Sequence, residues 1–109
     1  MTEQVGAIRI APEVLATIVN LTAMSVPGIM AMAPAPRGRL LDRNQPDATR
    51  GVHVSVRENI VHADLYVVVA HGANMVRIGN ELQRDVARAV HEMLGMGVGN
   101  INVYIQGIE

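Results

Sequence analysis

Apolar and polar residues alternate in two consecutive runs within GVHVSVRENIVHADLYVVVA, residues 51–70. A period of two residues is typical of β-strands that bury one face. Glu58 and Asn59 interrupt the alternation, so we predict a hairpin whose turn consists of these two residues. This register pairs apolar residues on one face and the remaining residues on the other: Val56 with Val61, Val54 with Ala63, Val52 with Leu65, and then Arg57 with Ile60, Ser55 with His62 and His53 with Asp64.

Helical spacing of apolar residues predicts two helices. The first begins at Pro12, a favourable first helical residue, and ends near Val26, because the residue before Pro27 avoids helical dihedral angles. The second follows Asn74, a favourable N-cap residue, and stops at Gly95. Its apolar stripe comprises Met75, Ile78, Leu82, Val86, Ala89, Val90 and Met93.

Three short segments complete the predicted elements. Ala7 to Ile10 and Ile101 to Ile105 are predicted strands, and Ile29 to Met32 is either a strand or an extended packing segment. The strand from Ile60, the second helix and the strand from Ile101 form a crossover unit, which should be right-handed. The predicted class is α+β: a small mixed β-sheet with two helices packed on one face, in the order strand-helix-strand-strand-helix-strand.

The length of 109 residues allows one compact core and is too short for two, so we expect a single domain over residues 1–109. Residues 33–51, APAPRGRLLDRNQPDATRG, have no clear period and contain three Pro and four Arg. We therefore predict a flexible loop at 33–50.

Charge and composition narrow the classes of function. The net charge of −1 gives no overall attraction to nucleic acid, and the absence of Cys excludes disulfides and thiolate ligands. Residues 14–36 carry no charge, but Asn20 and Pro27-Gly28 interrupt them before the roughly 20 residues that a membrane span needs. With no signal peptide in evidence, we expect a soluble, unexported chain.

The four histidines suggest two possible reactive sites. His71 lies in a turn before the second helix, where a general base could stand beside helix-terminal amides, although a tolerated loop residue is the stronger interpretation. His53, Ser55, His62 and Asp64 share a face of the hairpin and include the residue types of a catalytic triad or a metal site. An ordinary polar sheet face is the stronger interpretation here too. Gly95 occupies the place of the second His in a zinc-protease motif, so that motif is absent.

The two tyrosines favour an interaction surface over a catalytic one. Tyr66 and Tyr104 point away from the predicted helix-covered face and, with Val68, could form a contact platform. On the polar side of the second helix, Arg84 and Arg88 are further candidates for contact with a partner.

These residues also resemble the bacterial alkaline shock protein and general stress protein family. The first half carries VGAIRIAPEVLATIVNLTAMSVPGIMAM, and the second half carries GVHVSV, LYVVVAHGANM, Gln83 in mid-helix, MLGM and INVYIQGI, in the order and spacing of that family. The resemblance covers nearly the whole chain except residues 33–50. Pro27 before the helix-ending Gly28, His71 in place of a common aromatic residue, and the lack of charged terminal extensions depart from the pattern.

The resemblance implies a non-enzymatic cytoplasmic protein of the cell-envelope stress response, with no cofactor, no metal and no catalytic residues. It implies self-association into a homo-oligomer and recruitment to the membrane by a small anchoring protein, without a small-molecule substrate or direct membrane insertion. Two alternatives stay open. One is a small RNA-binding α+β module, and the other is a metal-dependent hydrolase that uses His53, His62 and Asp64.

Overall fold

The chain is described by a computed structural model that covers residues 9–34, 36–37, 40–41 and 45–109. Of the predicted first strand, Ala7 and Ile8 lie outside these residues, and Arg9 and Ile10 belong to no strand. The elements are α1 (Pro12–Met24), β1 (Ile29–Met32), β2 (Pro36–Arg37), β3 (Leu40–Leu41), a 3-10 helix (Asp47–Thr49), β4 (Val52–Arg57), β5 (Ile60–Val69), α2 (Met75–Leu94) and β6 (Gly97–Ile108).

The central strand of the main sheet is β5, which has neighbours on both edges. β6 runs parallel to it along one edge, while β4 and β1 both run antiparallel to it. Since β6 follows β5 from Ile60 to Val69, β1 and β4 must share the opposite edge, one after the other. β2 and β3 form a separate two-stranded hairpin. The predicted α+β class with a mixed sheet is confirmed.

β1 and β4 are two parts of one interrupted edge strand, and they meet at Tyr66. The Tyr66 N–H donates to the Gly51 carbonyl at 2.8 Å, and the Tyr66 carbonyl accepts from the Ala33 N–H at 2.9 Å. The chain therefore leaves the sheet after Ala33 and returns to the same edge at Gly51. Gly51 has φ of +75°, and a Cβ there would lie 2.7 Å from the Tyr66 oxygen and 2.8 Å from the Ala33 oxygen. Only glycine fits this junction without strain.

The hairpin between β4 and β5 has the register that the alternating pattern predicts. All six predicted cross-strand pairs are formed, from Val52 opposite Leu65 to Arg57 opposite Ile60. Glu58 and Asn59 both adopt left-handed dihedral angles, with φ of 54° and 64°. Two successive positive φ values are typical of the tight turns whose twist matches that of the paired strands.

The core lies between one face of the sheet and the two helices, as predicted. Alternate residues of β5 are fully or nearly fully buried, and they share one cluster with buried residues of α1 and α2. The largest fully buried side chains of this cluster are Leu15, Leu65, Ile78 and Leu82, with Val19, Val61, Val67, Val69, Val86 and Val90. Burial of each such aliphatic side chain contributes about 1.5–3 kcal/mol.

The ends of α2 follow the sequence signals. The Asn74 side chain accepts a hydrogen bond from the Arg77 N–H at 3.0 Å, which caps the first turn. Gly95 ends the helix in the left-handed conformation, with φ of 67°. β6 begins two residues later at Gly97, four residues earlier than predicted, because Gly97 and Gly99 are accommodated in the strand itself.

Asn20 is the only buried polar side chain among the described residues. It connects α1 to the segment just before Gly51, where the chain returns to the sheet. Its amide donates to the carbonyls of Arg50 at 2.9 Å and Asp47 at 3.4 Å. Gln45 adds a second tie, because its side chain donates to the Val52 carbonyl and accepts from the Gly51 N–H. These bonds satisfy backbone groups that no strand partner reaches. In the described part of the chain, no helix combines the length and apolar character needed to cross a bilayer.

Candidate interaction surface

The face of the sheet opposite the helices is the candidate functional surface, and we call it the open face. It is built on the alternate residues of β5 that are not in the core, Ile60, His62, Asp64, Tyr66 and Val68, each of which is partly exposed. Their neighbours are His53, Ser55 and Arg57 on β4 and Asn102 and Tyr104 on β6. The two helices pack on the other side, so neither of them covers this face.

Tyr66 and Tyr104 form a stacked pair at the centre of the open face. The parallel register places them directly opposite each other, with ring centroids 4.9 Å apart and ring planes inclined by 13°. Such a pair contributes about 0.5–1.5 kcal/mol beyond its buried area. Tyr104 is nevertheless 42% exposed, so the pair presents an aromatic surface to solvent.

The environment of Tyr66 disfavours its ionised form. Burial of the phenol raises its pKa above the ordinary value of 10.0, and the nearby Asp64 carboxylate and Tyr104 raise it further. Tyr66 therefore stays a neutral hydrogen-bonding phenol at physiological pH.

Asp64 is engaged by a neighbour on β6. The Asn102 side-chain amide donates to its carboxylate at 3.0 Å, and His53 lies opposite it on β4. A hydrogen bond to an ionised carboxylate is stronger than one between neutral groups, so this bond fixes the two side chains relative to each other. No local sequence pattern predicts the pairing of Asn102 with Asp64, because it depends on the parallel register of β5 and β6.

His62 is engaged by the backbone of β6. Its Nδ1 accepts from the Asn100 N–H at 3.1 Å, which leaves the ring proton on Nε2 in the neutral form. Its ring occupies the space above Gly99, where a Cβ would overlap it. A β-bulge makes this possible, since Val98 and Ile101 pair with Val61 and Ala63, so that two residues of β6 stand opposite His62. The Gly-Asn pair within a strand was the available sequence signal for this bulge.

The hydrogen bonds of His62 and Asp64 decide how far these residues fit a catalytic triad or a metal site. His62 lies opposite Ser55 and His53 lies opposite Asp64, so the four residues do share a face as predicted. The Nδ1 of His62 and the carboxylate of Asp64 are both already hydrogen-bonded within the sheet. Across residues 9–34, 36–37, 40–41 and 45–109, no group of three or more His, Asp or Glu side chains is placed to hold a metal ion.

The predicted contact residues fall on two sides of the molecule. Tyr66, Val68 and Tyr104 come together on the open face. Arg84 and Arg88 are exposed on α2, on the opposite side of the sheet. Arg84 lies 3.3 Å from the Asp85 carboxylate, and Arg88 lines a shallow groove beside the end of α1. The five residues therefore do not form one continuous surface.

His71 stands apart from both groups of residues. It is exposed in the turn between β5 and α2, and its N–H donates to the Glu109 carbonyl at 2.6 Å. Gly72, with φ of 82°, changes the chain direction beside it. This backbone bond closes the end of the sheet, where β5 and β6 finish side by side.

Comparison with known protein families shows where this chain belongs. The model of the alkaline shock protein 23 family, described as having a cell envelope-related function, matches residues 1–109. The chain belongs to this family. The family resemblance noted in the sequence is thereby confirmed, together with a cell envelope-related function.

Individual relatives extend over nearly the same length. YloU of Bacillus subtilis is 28% identical over 108 residues, which cover 94% of this chain and 88% of that protein. Spy1535 of Streptococcus pyogenes is 28% identical over 109 residues, covering 98% and 82%. Among solved structures, the copper form of the MamM CTD is similar with a TM-score of 0.62 at 13% identity, covering 89% of this chain and 86% of that one. At this identity the likeness concerns the fold alone.

Proposed function

We propose that this protein is a non-catalytic interaction module of the cell-envelope stress response, with the open face as its partner-binding surface. The observation that supports this most is the stacked Tyr66–Tyr104 pair, which lies on a sheet face without a covering helix. Tyrosine is enriched at protein interfaces because it offers a rigid apolar ring together with a polar hydroxyl.

The chemistry of the open face favours recognition over catalysis. Among the groups on this face that could transfer a proton, Asp64 accepts from the Asn102 amide and His62 accepts from the Asn100 N–H, so these two are held by the sheet. Ser55 lies opposite His62, but among the described residues neither His62 nor Asp64 forms a hydrogen bond to a hydroxyl group. A surface of this kind offers fixed donors, acceptors and aromatic rings to a partner.

The proposed partners are a second copy of this chain and a small membrane-anchoring protein. Family membership ties the protein to the cell envelope, and a cytoplasmic module can reach the envelope through such an anchor. In this proposal the stacked tyrosines contact the anchor, and no cofactor or small-molecule substrate takes part.

The location of the protein in cells tests the proposal. A fluorescent fusion of the wild type should collect at the cell envelope, and the double substitution Tyr66→Ala with Tyr104→Ala should spread it through the cytoplasm. Val76→Ala is the matched control, since Val76 is an exposed apolar residue of α2 on the helical side. It should leave the distribution unchanged. Circular dichroism melts of the purified variants establish that each one folds.

Two outcomes would count against the proposal. One is a wild-type fusion that is uniformly cytoplasmic under envelope stress. The other is a folded double variant that stays at the envelope as the wild type does.

RNA binding is the second candidate, because aromatic side chains on an open β-sheet can stack with unpaired bases. The net charge of −1 and the Asp64 carboxylate beside Tyr66 oppose it, since phosphate contacts supply most of the affinity for nucleic acid. Fluorescence anisotropy with single-stranded RNA separates the two functions. Binding that weakens steeply as salt is raised, and that is lost in the double tyrosine variant, would favour RNA.

A further inference from the structure

The outer edge of β6 carries backbone groups that pair with no strand among the described residues, and their direction follows from the hydrogen bonds of β5. Peptide groups along a strand point alternately to its two edges. Tyr66 directs both its N–H and its carbonyl to the β1 and β4 edge, and the Ala70 N–H does the same toward Gly28. The Val69 carbonyl instead accepts from the Glu109 N–H, beyond the end of β6. Odd-numbered residues of β5 therefore direct their peptide groups toward β6.

The residues of β6 opposite these odd-numbered positions point away from β5. In a parallel pair, when one residue directs its peptide group to the partner strand, the residue opposite directs its own away. Ala63, Leu65 and Val67 pair with Ile101, Val103 and Ile105, so these three residues of β6 face outward. An independent contact agrees, because the Gln83 side chain on α2 donates to the Ile101 carbonyl from outside the sheet at 3.0 Å.

Between its two bulges, this edge lacks charged residues and proline, two of the features that usually prevent strand pairing. Exposed edges are commonly protected by charged residues or proline. β6, Gly97–Ile108, contains neither, and among the described residues its only strand partner is β5. The opposite edge is different, since β1 and β4 are interrupted between Ala33 and Gly51 and β4 ends at Arg57.

The regular part of β6 is symmetric about Val103. Register shifts lie on either side of it, between Val98 and Ile101 and between Ile105 and Gly107. Between them the core-side residues read Ile101, Val103, Ile105, which is the same sequence in either direction. A strand of this pattern is complementary to its own antiparallel copy.

We propose that two copies of this chain pair antiparallel through their β6 edges, with the two-fold axis at Val103. Val103 then pairs with Val103 of the partner subunit, and Ile101 pairs with Ile105 of the partner subunit. The outward N–H and carbonyl groups of this segment meet those of the other copy, and each pair places β-branched side chains side by side. The Ile101 carbonyl, which accepts from Gln83, uses its second lone pair for the partner subunit. No charge is brought opposite a like charge, because the strand has none.

The pairing also joins the two open faces. Tyr104 would stand opposite Asn102 of the partner subunit, so the stacked tyrosines of both copies would lie on one continuous sheet surface. The inference rests on the self-association in the proposed function and supplies the surface for it.

Amide exchange measured on the wild-type chain tests the pairing. NMR exchange rates and sedimentation velocity should be recorded together from low micromolar to high concentration. We predict that the monomer becomes a dimer as the concentration rises, and that hydrogen exchange at the Val103 and Ile105 amides slows by about tenfold or more over the same range. The Asn102 and Tyr104 amides point to β5, so they are the internal control and should be protected at every concentration.

A substitution gives the second measurement. Val103→Pro removes an outward N–H that has no role in pairing with β5, and edge strands tolerate proline at such positions. It should sediment as a monomer at concentrations where Val103→Thr, which keeps the N–H, still forms a dimer. If Val103→Pro does not fold, the wild-type exchange rates decide the question.

The possible failures are distinguishable. A dimer in which the Val103 and Ile105 amides exchange as fast as in the monomer overturns the β6 pairing and leaves the proposed self-association intact. A monomer at every concentration overturns both the β6 pairing and the proposed self-association. Binding to the membrane anchor is then still tested by the envelope localisation of the tyrosine variants.

Discussion

Tyr66 combines a structural role in its backbone with a surface role in its side chain. Its N–H and carbonyl join the two parts of the edge strand, while its ring stacks on Tyr104 on the open face. A substitution of the side chain therefore alters the open face and leaves the backbone junction in place. This separation is what allows the tyrosines to be tested as contact residues.

Titration of the Tyr66 phenol is predicted to reflect its surroundings. In Tyr104→Phe the only remaining phenol is that of Tyr66, so tyrosinate absorbance reports its pKa directly. The midpoint should lie above 10.0, because burial and the Asp64 carboxylate disfavour the phenolate. Adding Asp64→Asn should lower it. A midpoint at or below 10.0 in the folded variant would show that the ring is more solvated than described.

The same shift has a consequence for stability. The folded state holds the Tyr66 proton more tightly than the unfolded state does, so the contribution of this group is complete below the ordinary value of 10.0. It is lost as the pH rises from there through the raised folded pKa. Urea unfolding of the wild type should thus show a decline in alkaline solution that Tyr66→Phe reduces.

The contact between His62 and Gly99 is predicted to be strongly coupled. Gly99→Ala alone should cost about 1–3 kcal/mol of unfolding free energy, because its Cβ would overlap the imidazole. In a His62→Ala background the same change should cost less than about 0.5 kcal/mol, since the obstructing ring is gone. Urea unfolding of the four proteins of this double-mutant cycle measures the coupling. Additive costs would mean that the ring does not lie over Gly99.

At the scale of the elements, the sequence predicted the features that local interactions determine, namely the hairpin between β4 and β5 and the ends of α2. The hairpin register followed from the period of two around Glu58-Asn59, and the limits of α2 followed from Asn74 and Gly95. The union of β1 and β4 into one edge strand was missed. A signal did exist, because β5 continues for four residues beyond Leu65, the last one that β4 can pair. The apolar run to Val69 needed a second partner on that edge.

Gly51 at the junction of that edge strand is predicted to be nearly irreplaceable. Gly51→Ala should cost about 3 kcal/mol or more, since the new Cβ would crowd two carbonyl oxygens while the backbone keeps a positive φ. Gly72→Ala is the matched control: its φ is +82°, but nothing lies within 4 Å of the added Cβ. That change should cost only about 1–2 kcal/mol. Equal losses in urea unfolding would show that the junction is not tightly packed.

At the scale of the whole molecule, the sequence predicted which elements and residues lie on each face of the sheet, but it did not predict the contacts between their side chains. Two helices on one face and tyrosines on the other follow from amphipathic patterning. The stacking of Tyr66 on Tyr104 and the pairing of Asp64 with Asn102 depend on the parallel register of β5 and β6, which two bulges adjust. Such registers arise from long-range packing, so no short window of sequence contains them.

The division into two sides also decides which predicted contact residues can act together. The tyrosines and Val68 belong to the open face, whereas Arg84 and Arg88 belong to the helical side. A partner bound to one side leaves the other free, either for solvent or for a different protein. In the proposed function the partner binds to the open face.

Site-specific photocrosslinking in living cells tests that assignment most directly. A photoreactive amino acid would replace Tyr104 on the open face or, in a matched chain, Arg84 on α2, and crosslinked products would be identified from the envelope fraction. We predict that position 104 crosslinks to a membrane-anchored protein and that position 84 does not. Crosslinks to such a protein from position 84 alone would contradict it.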